Sequence, residues 1–316
     1  MSIADTLGIG EGDEDGASAL KRSGERRSQR GTGASGTGLG SVMSVGDAHG
    51  ERGTDRIAAA FAAAAGEGRA ALMPYLMGGY PTLAESARIG AACVQGGADI
   101  LELGVPYSDP LADGPVIHAA GARALAAGAT PAGVLGVARA LSASVPVVLM
   151  CYANMVLAPG ADAFVERLAG TGACGLIVPD LPVGEAPEVR EACVVHGLAL
   201  VPLMAPTTTP ERLRTIGAQA MGFLYAVSVI GTTGERAALA ESFAEVVARA
   251  KASTRVPVAL GFGIGTPEQA RTAADAGADG VIVGTRLVRA VSEAREGERA
   301  AAAGAVLRDL AGGLAR

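Results

Sequence analysis

Eight times between Asp55 and the C-terminus, an apolar run of four to seven residues gives way to a longer amphipathic stretch. The runs are Leu72 to Met77, Asp99 to Gly104, Val147 to Tyr152, Gly175 to Val178, Ala199 to Met204, Met221 to Val227, Val258 to Phe262 and Gly280 to Val283. Their length and aliphatic content predict strands. Helical spacing fills the gaps, as in Leu83 to Gln95, Pro131 to Ser142, Ala161 to Ala169, Glu185 to His196, Pro210 to Ile216, Glu235 to Ser253 and Pro267 to Ala276. Strands alternating with helices form a parallel sheet, and eight units in one run favour a closed (β/α)8 TIM barrel over an open doubly wound sheet. Composition agrees, because 49% apolar residues with only 3% aromatics and no Trp give the aliphatic core that parallel strands under helices require. Ser292 to Leu314 is the expected closing helix. Gly97-Ala98, Gly172-Ala173 and Gly277-Ala278 mark points where a helix ends and the chain turns inward.

Residues 1–54 have a different character. Gly, Ser, Thr and charges dominate, as in Arg30 to Ser41, and neither structural period survives, so a disordered extension is expected ahead of one barrel domain over 55–316. The basic run from Lys21 to Arg30 is interrupted by Glu25 and preceded by Asp13 and Glu14, which fits a solvated tail better than a nucleic-acid arm. Asp55 is the expected N-cap of an Ala-rich helix reaching about Ala65. A net charge of −6 excludes the basic excess of a nucleic-acid binder. No apolar run of signal-peptide or membrane length occurs, and Cys93, Cys151, Cys174 and Cys193 are too scattered for a disulfide framework or a zinc site. The expectation is a soluble protein of the reducing cytoplasm, without membrane or nucleic-acid partners.

Within the second run, alternation puts Leu101 and Leu103 on one face and Ile100 and Glu102 on the other. Leucines suit the helix-facing side, so Glu102 points into the barrel near its C-terminal mouth, where barrel enzymes keep their chemistry. Burial among apolar neighbours raises a carboxyl pKa toward neutrality and makes a proton donor. Position alone fits equally a buried glutamate held by an arginine or by backbone amides. Asp113, eleven residues on, sits in an Asp-Gly-Pro sequence that is also ordinary turn chemistry.

A second set of signals lies late in the chain. Gly261-Phe262-Gly263 closes the seventh run, and Thr266, Pro267 and Gln269 then predict an N-cap, a proline at the first helical position and a capping box. Gly284-Thr285 follows the eighth run and opens another short helical segment. Gly231 to Gly234 adds a further glycine loop after the sixth. Such loops at helix N-termini bind phosphate in many barrels, although packing alone also selects glycine there. A Schiff-base aldolase needs a lysine at a strand end, yet the only lysines are Lys21 and Lys251. The three histidines, His49, His118 and His196, are too dispersed for a metal aldolase. What remains is carboxylate acid/base chemistry on a small phosphorylated molecule, without metal or cofactor.

The run Glu102-Leu103-Gly104-Val105-Pro106-Tyr107-Ser108-Asp109-Pro110-Leu111-Ala112-Asp113-Gly114-Pro115 resembles the signature of the tryptophan synthase alpha chain family. The resemblance continues from about Asp55 to the C-terminus through Met73-Pro74-Tyr75, Tyr152-Ala153-Asn154, Val178 to Pro182, Tyr225, Thr233-Gly234, Gly261-Phe262-Gly263 and Gly284-Thr285. It implies retro-aldol cleavage of indole-3-glycerol phosphate to indole and glyceraldehyde 3-phosphate. Glu102 would be the general acid/base and Asp113 the acceptor of the indole N–H. Tyr225 would orient Asp113 and line the indole pocket with Tyr75, for both of which core packing is the alternative. Thr233, Gly234, Gly261, Phe262, Gly263, Gly284 and Thr285 would form the substrate and phosphate loops. The resemblance further implies no cofactor in this chain, and an α2β2 heterotetramer with a pyridoxal-phosphate beta chain met by Pro106, Asp109 and Asp180. Val229 stands where some relatives carry arginine, in a loop from about Val229 to Phe243 expected to close over substrate. A catalytically weak regulatory partner of the beta chain, or another phosphate-binding barrel lyase or isomerase, are the alternatives.

Overall fold

Three helices open on the dipeptide Thr-Pro, and each time the same physics starts the helix. Thr130, Thr209 and Thr266 adopt extended backbone and accept from the amides of Gly133, Arg212 and Gln269 at 3.1, 3.3 and 3.2 Å, while the following proline supplies the first helical residue without a wasted N–H. At the other end, the Gly-Ala steps terminate helices as expected. Gly97 and Gly277 lie at φ 102° and 93°, and Ala98 and Ala278 donate back to Cys93 and Ala273 carbonyls at 3.1 and 3.2 Å. An aspartate follows each of these two steps. Asp99 and Asp279 accept from the amides of Leu72 and Val258 at 2.7 and 2.8 Å, pinning the start of a neighbouring strand.

The structure, a computed structural model, describes residues 51–228, 236–261 and 263–315. The strands are β1 (Ala71–Met77), β2 (Leu101–Gly104), β3 (Val147–Met150), β4 (Gly175–Ile177), β5 (Ala199–Val201), β6 (Leu203–Met204), β7 (Leu224–Val227), β8 (Val258–Gly261) and β9 (Gly280–Val283). The first helices are α1 (Gly53–Gly66), α2 (Leu83–Gln95), α3 (Pro115–Ala126), α4 (Pro131–Ser142), α5 (Ala153–Leu157) and α6 (Ala161–Ala169). They are followed by α7 (Pro187–Val195), α8 (Pro210–Gln219), α9 (Arg236–Lys251), α10 (Pro267–Asp275), α11 (Thr285–Glu293) and α12 (Arg299–Leu314). All strand pairings are parallel, in the order β5-β4-β3-β2-β1-β9-β8-β7-β6. β5 and β6, the two ends of that order, are separated in the chain by Pro202 alone. The expected single strand Ala199 to Met204 is therefore one barrel position interrupted at a residue with no N–H to donate, and the ring closes through it as a (β/α)8 barrel. The Pro202 carbonyl still accepts from Tyr225 N at 3.0 Å.

Two hydrophobic clusters show which way each strand faces. Leu101 and Leu103 join the outer one, between strands and helices. Ile100 joins the inner one with Met73, Val148, Ile177, Tyr225 and Ile282. Ile57, Phe61 and Ala64 of α1, spaced i, i+4, i+7, complete this inner cluster and plug the barrel end opposite the strand C-termini. Arg56 fastens the plug by donating to Ser142 and Gly172 carbonyls at 2.6 and 2.9 Å.

Several expectations are corrected. The N-cap of α1 is Arg52 rather than Asp55, which lies in the first turn, so Gly53 and Thr54 belong to the helix and not to the extension. The chain approaches Cys174 so closely at Gly53 that a side chain there would strike backbone. Residues 1–50 lie outside the described residues. The closing helix is two helices, since residues 294–298 break the periodicity between α11 and α12. The loop expected to reach Phe243 ends sooner, because α9 begins at Arg236 and Phe243 is fully buried in the core; residues 229–235 lie outside the described residues. No single described helix is long and apolar enough to cross a membrane.

Candidate active site

β1 and β2 pair in a register that sets Tyr75 beside Glu102, both inward and both near the strand C-termini. The Glu102 side chain is 1% exposed, and neither carboxyl oxygen has a hydrogen-bonding partner among the described residues. The arginine or amide cradle that would make it a structural glutamate is not there. Burial first, and the nearby Asp113 charge second, push its pKa up from 4.5 to about 8. At neutral pH this carboxyl holds its proton and faces a cavity.

That cavity, about 410 Å³ at the C-terminal mouth, brings together Tyr75, Glu102, Asp113, Tyr225, Gly263, Gly284 and Thr285 from seven hundred-odd Å of extended chain into one wall-to-wall site. Met150, Leu203, Ile117 and Ile282 give it an apolar middle suited to a flat aromatic ring. Asp113 is partly buried where the loop after β2 meets α3. Burial raises its pKa above the ordinary carboxylate value, and the charge of His118 and the hydroxyl of Tyr152 offset that rise only in part. The two carboxyls thus differ in kind. Glu102 is enclosed and protonated, and Asp113 has two groups favouring its ionised form.

The tyrosines are placed by glycines on the next strand. A side chain at Gly104 of β2 would collide with the Tyr75 hydroxyl, and one at Gly261 of β8 would come within 2.7 Å of the Tyr225 hydroxyl. Each ring therefore lies across a neighbouring strand that has been kept bare. Burial raises both phenol pKa values well above 10, with Asp113 and then Glu102 adding for Tyr75, and Glu102 and then Tyr75 for Tyr225. Both remain neutral hydroxyls. Tyr225 makes no hydrogen bond to Asp113; the phenol coupled to that carboxylate is Tyr152, whose oxygen also accepts from Ala112 N at 3.0 Å. The exchange has a simple cause. Tyr225 belongs to the inner cluster below the mouth, whereas Tyr152 sits just after β3, ring to ring with Tyr107 at 5.1 Å, on the loop level where Asp113 lies.

At the phosphate end the structure divides the expected residues. Gly263, at φ 75°, and Gly284 and Thr285, at the start of α11, line the cavity. Gly261 does not; its role is to make room for Tyr225, and its carbonyl accepts from Ser228 N and Oγ at 3.0 and 3.1 Å. Thr233, Gly234 and Phe262 lie outside the described residues. The capping box at Thr266 forms as expected, with Gln269 Oε1 accepting from Gly265 and Thr266 amides at 2.8 and 3.1 Å. Arg286 and Arg289, not anticipated, also line the cavity. The sequence carried a signal for them: Leu287, Val288 and Val291 are the buried face of α11, which leaves 286 and 289 on the opposite one. His118, too far from the other histidines in sequence for a metal site, acts instead through its charge on Asp113. On the loops outside, Asp109 and Asp180 are exposed, and Asp180 accepts from Ala153 N at 2.9 Å. Pro106 is instead buried, because Val105 N still bonds to Met150 O at 2.8 Å and holds the chain against β3.

Comparison with known proteins agrees with this geometry. A sequence profile of the tryptophan synthase alpha chain family matches residues 61–310. The tryptophan synthase alpha chain of Gloeobacter violaceus is 48% identical over 246 residues, covering 77% of this chain and 89% of that one. That of Carboxydothermus hydrogenoformans is 49% identical over 238 residues, covering 75% and 89%. Among solved structures, Mycobacterium tuberculosis tryptophan synthase superposes with a TM-score of 0.76 at 40% identity, over 83% of this chain and 98% of that one. The alpha subunit from Legionella pneumophila gives 0.75 at 35% identity, over 82% and 98%. With the family profile spanning every strand of the barrel and relatives near one-half identical, this chain belongs to the tryptophan synthase alpha chain family.

Proposed function

We propose that Glu102 and Asp113 divide the work by which this lyase of tryptophan biosynthesis cleaves indole-3-glycerol phosphate to indole and glyceraldehyde 3-phosphate. The observation that carries this division is the unpartnered, proton-holding Glu102 facing the same cavity as Asp113, a less enclosed carboxyl whose burial-driven rise in pKa is opposed by His118 and Tyr152. Glu102 donates its proton to indole C3, and the positive charge that develops on the ring nitrogen is met by the Asp113 carboxylate. The bond between C3 and the glycerol carbon then breaks, its electron pair restoring the aromatic ring. The glycerol hydroxyl on that carbon gives its proton to Glu102 as it becomes the aldehyde. One proton leaves Glu102 and one returns, so the residue is ready for the next turnover.

Tyr75 and Tyr225 shape the indole side of the cavity, and backbone amides at Gly263, Gly284 and Thr285, with Gly234 as the family resemblance implies, hold the phosphate. Asp109 and Asp180, exposed on the mouth loops, would meet a beta chain in an α2β2 heterotetramer, with pyridoxal phosphate belonging to that partner and none to this chain. Pro106 would contribute by bracing the loop from below. Four free, buried thiols and the biosynthetic role favour the cytoplasm as the place of action, and one barrel domain that includes the helix from Gly53, preceded by an extension, is the domain plan.

Indole release from indole-3-glycerol phosphate, measured with and without a beta chain, tests the proposal. Turnover by the chain alone, faster with the partner, is expected. A chain that accelerates a beta chain yet releases no indole would instead be the regulatory partner.

A further inference from the structure

Arg286 and Arg289 are not among the arginines that fasten this fold, and unlike other arginines unpaired among the described residues, such as Arg308, they line the cavity. Arg56 donates to two backbone carbonyls, Arg69 pairs with Asp99 at 2.6 Å, Arg249 donates to the carbonyls of Pro206 and Thr208, and Arg299 pairs with Glu85 at 3.0 Å. Among the described residues, Arg286 and Arg289 have neither an ion pair nor a hydrogen bond. They are three residues apart on the exposed face of α11, they both line the cavity, and the base of Arg286 rests against the Gly265 loop, 3.7 Å from where a side chain at Gly265 would begin.

The charges of the mouth make that placement consequential. Glu102, Asp113, Arg286 and Arg289 are the charged residues lining the cavity among those described. Without the arginines, the only ionisable acid or base side chains among the described residues lining the cavity with a substrate phosphate of charge near −2 would be carboxyls and phenols. The amides offered to it are also fewer than the two adjacent helix N-termini suggest, since Gln269 Oε1 already occupies those of Gly265 and Thr266. The first turn of α11 and Gly263 remain, and neutral donors of this kind leave most of the phosphate charge uncompensated.

We propose that Arg286 and Arg289 form a cationic clamp for the substrate phosphate, Arg286 reaching across between the β8 and β9 loops and Arg289 one turn further along α11. Charge-assisted, forked contacts of this sort are about twice as strong as neutral ones and select a phosphate dianion over neutral ligands. The clamp binds; it moves no proton. It sets which molecules enter the cavity by their phosphate and leaves the chemistry to the carboxyl pair. The assignment rests on the proposed phosphate end of the cavity.

The test uses the full chain with its beta chain and four variants: Arg286→Gln, Arg289→Gln, the double variant, and Arg308→Gln as a charge-matched control on the outer helix α12. Each single variant at the mouth should raise KM for indole-3-glycerol phosphate roughly tenfold, and the double variant more, with kcat changed by less than about threefold. Inhibition by glycerol 3-phosphate should weaken in parallel, whereas indole, which lacks a phosphate, should bind all variants alike. The control should leave KM where it was. An unmoved KM in the double variant overturns the clamp and leaves the lyase assignment standing. A loss of indole affinity equal to the loss for glycerol 3-phosphate also overturns it, since the arginines would then act on the cavity as a whole. Absence of turnover in the unsubstituted complex is the separate outcome that defeats the lyase proposal itself.

Discussion

Replacing Glu102 by Gln should make the protein more stable, and by an amount that depends on pH. In the unfolded chain the carboxyl ionises at 4.5, whereas in the folded barrel it holds its proton to about 8. The folded pKa is the higher one, so the folded state binds more protons between these values, and stability is full below pH 4.5 and falls as pH rises toward 8. At about 1.4 kcal/mol per pH unit, the cost is about 3 kcal/mol at pH 7 and levels off near 5 kcal/mol above pH 8. Gln does not titrate. Whatever a buried neutral amide costs in this unpartnered position is the same at every pH, so the slope, not the offset, isolates the carboxyl. For a barrel of this size, about 3 kcal/mol corresponds to roughly 6–12 °C in Tm. Thermal unfolding of Glu102→Gln beside the parent at pH 5, 6, 7 and 8 should show a Tm difference that grows steadily in favour of Gln. A difference that stays constant over that range would refute the claim that Glu102 is held protonated by its burial.

Other perturbations address the groups around it. Asp113→Asn keeps the shape and removes the charge, and should lower kcat by roughly 10² to 10³, the cost of losing one preorganised electrostatic partner, as read from indole release under saturating substrate. Tyr152→Phe removes a group that favours the ionised Asp113, so the Asp113 pKa rises and the acidic limb of the kcat/KM profile moves to higher pH; a limb that does not move would show that Tyr152 and Asp113 are uncoupled. Gly261→Ala puts a methyl within 2.7 Å of the Tyr225 ring, and should cost about 1–3 kcal/mol in chemical denaturation together with weaker indole binding.

The barrel was legible because its determinants are local. Thr-Pro helix starts, Gly-Ala helix ends and aliphatic runs of strand length are each decided within a few residues, and α2, α4 and α6 fall on their expected limits. Strand alternation even gave Glu102 its inward direction. What stayed hidden depends on chain segments meeting in space. Tyr152 is far from Asp113 in sequence, and only the adjacency of the β2 and β3 loops joins them. Pro202 interrupts hydrogen bonding without ending the run of apolar residues, and Asp-Gly-Pro, read as a turn, is also a proline-led start for α3. Gly261 carries the same glycine signal as Gly263, which lines the cavity, yet it ends β8 opposite Val227 and lies against the Tyr225 ring, outside the cavity lining. The arginines of α11 were visible as a polar face, but which cavity that face borders is a property of the closed ring.

In the proposed mechanism one buried carboxyl, that of Glu102, moves both protons of the reaction. Single-turnover indole release by Glu102→Gln, in a preparation shown by thermal unfolding to be folded and by titration to bind glycerol 3-phosphate, measures it directly. A rate reduced by about 10³ or more relative to the parent is expected for loss of the general acid/base. Indole release within about tenfold of the parent rate would contradict the role of Glu102 as the general acid/base.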